Sequence, residues 1–152
     1  MNLTELENKL RERRAQGYKL KPSPDNRYFN QNSVINRIER SDENYTVKSL
    51  LQYIWSLGYI LVINGKEIMG IEDFGRAMQN MRYYYFRTVL SFTIKSRMQP
   101  EQFYRVERGR CTRKNLARYL QFFPSCNFEL IEPKIDIPCP YIPESRRSIR
   151  HR

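Results

Sequence analysis

Histidine and cysteine are scarce in this chain. One histidine, His151, and three cysteines, Cys111, Cys126 and Cys139, with no C-x-x-C spacing offer poor material for a zinc site. An odd set of thiols fits reduced cysteines in a cytosolic protein. Six glycines form no phosphate-binding loop, and no nucleophile elbow is present. A non-enzymatic protein without cofactor is therefore expected. No apolar run approaches the ~20 residues of a membrane span. The opening MNLTELENKLRERR mixes both charge signs on an amphipathic helix and lacks the apolar segment of a secretion signal.

What is present is a core and a surplus of positive charge. Hydrophobic residues make up 40% and aromatics 13% of 152 residues, enough for one domain or two very small ones. Lys plus Arg number 27 against 16 acids, a net charge of +11. The excess is +3 over residues 1–68, +5 over 69–132 and +3 over 133–152, so no single tail carries it. A polyanion such as nucleic acid is the natural partner, with an anionic membrane surface as the weaker option.

The chain also repeats itself. NRIERS at 36–41 returns as YRVERG at 104–109, a shift of 68. At the same shift Leu3 meets Ile71, Leu6 meets Phe74, Leu10 meets Met78 and Arg14 meets Arg82. This helical stripe opens each half, with Thr4 and Glu7 as a capping box in the first and Gly70 as the start in the second. After a two-residue deletion, Leu50 meets Leu116, Tyr53 meets Tyr119 and Leu57 meets Phe123. A further helix is expected from Ser49 to near Gly58, and its counterpart up to Pro124. Short β-prone runs follow, YILVI at 59–63 and FELI at 128–131, and Asn64-Gly65 predicts a hairpin. The two strands could pair with each other or with another chain.

The repeated unit resembles the lambda-repressor-like helix-turn-helix family, of the Cro and xenobiotic-response-element type. The likeness spans 1–63 and 71–131 and is clearest in TVLSFTIKSRMQPEQFYRVERG at 88–109, with Met98 as apolar anchor and Pro100 at the first position of the recognition helix. The resemblance implies a mainly α fold with minor β. Its parts would be a first unit (1–68, with a degenerate second helix), a second unit (69–132) and a Pro-rich basic tail (133–152). It also implies a buried Arg–Glu pair in each unit, Arg14 with Glu39 and Arg82 with Glu107. The 25-residue separation is the same in both. The plain alternative is ordinary surface ions. Ile38 and Val106 should point inward.

By the same resemblance, the second recognition helix would present Gln99, Glu101, Gln102 and Tyr104 to bases, and Thr88, Arg105 and Arg108 to the backbone of double-stranded DNA. The first would present Gln31, Asn32, Ser33 and Asn36, with Arg37 and Arg40 on phosphate. Amides can grip adenine and an acid can accept from cytosine. The alternative is that such residues merely cap helices and face water. In the first unit Pro22 and Pro24 interrupt the expected second helix, Pro24-Asp25 replaces its apolar–small pair, and Asn30 replaces the Met98 anchor. A shortened helix or a loop is expected there.

Two stretches remain. Tyr83 to Phe86 would close a helix and fill space between the units, or stack on unpaired bases. The tail, EPKIDIPCPYIPESRRSIRHR, should be extended. Its Arg146, Arg147, Arg150 and Arg152 could follow phosphates or merely solubilise, and IDIPCPYI could dock on a partner. The expected function is a cytoplasmic, sequence-specific DNA-binding regulator, such as a repressor or antitoxin-type autoregulator. The rivals are a protein-interaction or toxin-neutralising module with possible self-association, and a non-specific single-strand binder.

Overall fold

The computed structural model describes residues 1–22 and 32–141. Its helices are α1 (Leu3–Ala15), α2 (Asn32–Glu39), α3 (Val47–Ser56), α4 (Ile71–Tyr85), α5 (Val89–Ser96), α6 (Pro100–Val106) and α7 (Arg113–Leu120). Three short strands, β1 (Ile60–Ile63), β2 (Lys66–Glu67) and β3 (Phe128–Ile131), form a sheet in the order β2-β1-β3. The fold is thus mainly α with minor β. None of the described helices is long and apolar enough to cross a membrane.

Local chemistry sets most boundaries. Helix α1 is capped by Asn2, whose side chain accepts from the Glu5 amide while the Glu5 carboxylate accepts from the Asn2 amide. The expected Thr4–Glu7 box is therefore displaced by two residues, because Glu7 is drawn into the interior. Thr46 caps α3, which begins two residues before Ser49, and α7 ends at Leu120, well short of Pro124. Gly70 does cap α4. Asn64 and Gly65, at φ of 51° and 83°, make the tight turn between β1 and β2. The last residue of each repeated phrase, Ser41 and Gly109, also has positive φ, 58° and 70°. A small residue recurs there because the chain reverses into the left-handed region as the helix ends.

The halves meet around a pseudo-twofold arrangement. Strand β1 pairs antiparallel with β3, and in that register Leu61 faces Leu130 while Val62 faces Glu129. Leu61 and Glu129 are equivalent under the 68-residue shift, as are Val62 and Leu130, so the pairing is symmetric under exchange of halves. The same holds at Thr46 and Thr112, equivalent caps that bridge each other. There the Val47 amide donates to Cys111 O at 3.0 Å and the Arg113 amide donates to Tyr45 O at 2.8 Å. The strands thus pair across the halves, an isologous contact built inside one chain.

One core runs through both halves. Leu6, Leu10, Ile38, Leu51 and Leu57 are buried with Phe74, Met78, Phe92, Phe103, Val106 and Phe123. Burial pushes the Cys111 thiol up to about 12 and the Cys126 thiol up to about 11, so both stay protonated at neutral pH.

The proline-rich segment corrects one expectation. Residues 133–141 form neither helix nor strand, and IDIPCPY is docked on its own chain. The Trp55 indole donates to Ile137 O at 3.0 Å, Gln52 Nε2 to Tyr141 O at 3.2 Å, and the buried Tyr141 hydroxyl to Ile68 O at 2.6 Å. Lys21 pairs with Asp136 at 2.7 Å. Tyr141→Phe would leave that carbonyl without its donor and is expected to cost about 1–2 kcal/mol. The single tryptophan lies under this segment, so urea unfolding followed by its fluorescence would measure the loss. Residues 142–152, with the basic end, lie outside the described residues.

Candidate nucleic-acid interface

In each half a triad ties a short helix, α2 or α6, to the helix that opens that half. In the first half Arg14 Nε and Nη2 donate to Glu39 Oε2 and Oε1 at 3.0 and 2.7 Å, and the Tyr53 hydroxyl reaches Glu39 Oε2 at 3.3 Å. In the second, Arg82 Nε and Nη2 donate to Glu107 Oε2 and Oε1 at 2.7 and 2.8 Å, and the Tyr119 hydroxyl lies 2.9 Å from Glu107 Oε2. These Arg–Glu forks join α1 to α2 and α4 to α6, with tyrosines from α3 and α7. The second pair is fully withdrawn from the surface, with the Arg82 and Glu107 side chains only 2% and 3% exposed, whereas in the first Glu39 is buried and Arg14 half-buried. Burial is the largest single influence and opposes the Arg82 charge, but the hydrogen bond and the charge of Glu107, with Tyr119 and Tyr83, together outweigh it, and the Arg82 pKa stands above the ordinary guanidinium value. Burial, followed by the Glu107 charge, pushes the Tyr119 hydroxyl up, which keeps it a donor. Tyr53 and Tyr119 occupy equivalent positions in the aligned repeat, so the sequence carries a signal for their shared role.

With the helices fixed, Ile38 and Val106 are fully buried, and so is the Met98 anchor. The opposite faces carry the candidate contacts. Glu101, Arg105 and Arg108 are exposed, as are Ser33, Asn36, Arg37 and Arg40, while Tyr104 is half-buried against Phe103. Arg40 Nε also leans on Asn36 O at 3.3 Å. Gln31 and the side chain of Asn32 lie outside the described residues, as do Pro24, Asp25 and Asn30.

Several polar residues have a capping role. Thr88 Oγ1 accepts from the Ser91 amide at 3.0 Å, capping α5. Gln102 Oε1 accepts from the Gln99 amide at 3.0 Å across the first turn of α6. One lone pair of its carbonyl oxygen is thus engaged, and a two-ended grip on adenine would use the other lone pair together with Nε2.

The aromatic string does close α4, which ends at Tyr85 with Phe86 as its cap, but Tyr83, Tyr84 and Tyr85 are exposed and do not fill the space between the halves. Tyr84 and Tyr85 line an open pocket with Ile63, Asn64 and Lys66 of the first half. Phe86 turns inward, edge-on to Phe92 and Phe123, and the Tyr85 ring lies tilted against Phe123. Leu90 and Ile94, one turn apart on α5, are also exposed, at 66% and 69%. No protein-family model matches this chain, and neither a curated protein nor a solved structure matches it.

Proposed function

We propose that the chain is a sequence-specific double-stranded DNA-binding regulator built from two tandem lambda-repressor-like units in residues 1–68 and 69–132. The observation that carries this reading is the Arg–Glu–Tyr triad, repeated in both halves, which holds a short polar helix against the helix opening each half. A recognition helix needs that rigidity, because base contacts discriminate only when side chains arrive in fixed register. Gln99, Glu101, Gln102 and Tyr104 would face bases, with Thr88, Arg105 and Arg108 on the backbone. Asn36, Arg37 and Arg40 would serve in the first unit. Two units around a pseudo-dyad suit half-sites about 34 Å apart. Repression or autoregulation is the role such a protein would play.

Selection from randomised duplexes should enrich one motif, and no enrichment would overturn the reading. Against the enriched duplex, Gln102→Ala with Arg105→Ala should weaken binding about 10–100-fold at fixed salt. Asn36→Ala with Arg37→Ala should cost less, because the first unit departs from the family pattern. Equal losses would refute that asymmetry.

A second reading, association through protein contacts, is favoured by exposed Leu90 and Ile94. Sedimentation of the full chain would separate the two: a monomer at micromolar concentration argues against self-association.

A further inference from the structure

The pseudo-dyad relates two places whose chemistry has diverged. In the first half, Glu7 of α1 is fully buried. It accepts from Arg113 Nε at 2.7 Å, from Ser41 Oγ at 2.7 Å and from the Tyr45 hydroxyl. Under the repeat, the positions equivalent to Glu7, Tyr45 and Arg113 are Gly75, Cys111 and Val47. Three bulky or charged side chains are thus replaced by small or short ones. At Gly75 a Cβ would stand 2.2 Å from Glu107 O, so the absence of a side chain lets the 107–109 segment lie directly against α4.

In the second half a groove of about 960 Å³ opens beside this segment and the Thr46–Thr112 bridge. Ile71 and Cys111 give it an apolar lining, and Lys48, Arg76, Arg105, Arg108 and Arg110 bring five cations. Two carboxylates also line it, Glu72 and Glu107, the latter committed to Arg82. Its size lies within the range of about 300–1,000 Å³ common for small-molecule sites. Clustered guanidinium groups select phosphate through paired, charge-assisted hydrogen bonds. An apolar surface beside them suits a ligand with a flat, poorly hydrated part.

We propose that this groove binds a small phosphorylated organic anion of the nucleotide type, with phosphates held by the arginines and the base against Ile71 and Cys111. Arg105 and Arg108 belong also to the backbone-contacting set, so occupancy should weaken duplex binding. That last coupling rests on the DNA-binding reading, whereas the groove itself does not.

The test is calorimetric titration of the full chain with ADP, and separately with pyrophosphate, at physiological salt. ADP should bind at one site and more tightly than pyrophosphate. Arg76→Gln with Arg110→Gln, neither a proposed DNA contact, should weaken ADP by about tenfold or more and leave duplex affinity nearly unchanged. Cys111→Tyr, which restores the first half's bulk, should abolish ADP binding, with circular dichroism checking its fold. No ADP binding to the wild-type chain, or equal affinity in the Arg76/Arg110 double variant, would overturn the proposal. ADP binding without any duplex preference would leave the groove standing and remove the DNA reading alone.

Discussion

Arg82→Met is expected to lower stability by about 3–5 kcal/mol, a fall of about 6–20 °C in melting temperature for a chain of this size. Methionine preserves much of the buried stem and removes the charge, so the effect isolates the fork to Glu107. The Glu107 carboxylate, 3% exposed, would be left with the Tyr119 hydroxyl and no cation. Arg14→Met should cost less, about 1–3 kcal/mol, between the buried and the surface cases. Its side chain is 36% exposed, and water can partly replace the lost partner. Urea unfolding of both variants would check the order. A larger loss at Arg14 would show that these exposures do not govern the energetics.

Arg113→Met should be comparably damaging, about 3–5 kcal/mol, for a different reason. Arg113 stands at the start of α7 and reaches across to Glu7 of α1, so this ion pair joins the halves. Removing the cation strands a carboxylate that is entirely out of water. Burial, and then the Glu7 charge, pushes the Tyr45 hydroxyl up, so Tyr45 remains a donor but supplies no compensating charge. Glu7→Gln combined with Arg113→Met removes both charges and should recover much of the loss. A double-mutant cycle should therefore give a coupling of about 1–3 kcal/mol. Unfolding that remains a single transition in Arg113→Met, with a coupling near zero, would show that the halves dock without this pair.

How much of this was legible in the chain differs from one element to the next. The 68-residue echo announced the helices at 3–15 and 71–85, the β1 and β3 strands and the Asn64-Gly65 turn, because periodicity and turn chemistry are local properties. The Arg14–Glu39 and Arg82–Glu107 forks are what the family resemblance implies, and the equal 25-residue separation in both halves agrees with it. The cap of α1 was misplaced, since Thr4 and Glu7 satisfy the local rule and only the Glu7–Arg113 contact withdraws Glu7 from it. Tyr83 to Phe86 close α4 as its pattern predicts, but Tyr83, Tyr84 and Tyr85 stay exposed and do not fill the space between the halves. The tail's composition described an extended segment but could not say that Trp55, Gln52 and Ile68 would receive it.

By itself, then, the sequence determined most of the elements and their duplication, which follow from spacing along the chain, while the residues of both forks follow from the resemblance that this spacing carries. Only the tertiary structure decided that β1 would pair with β3 about a pseudo-dyad. It alone showed Glu7 answered by Arg113, the equivalent Gly75 covered by the 107–109 segment, and a cationic groove open beside that segment and Cys111. The physical reason is that a strand edge, a buried carboxylate and a concave surface are satisfied by whichever group the other half brings near. That partner lies more than sixty residues away, where local periodicity carries no information.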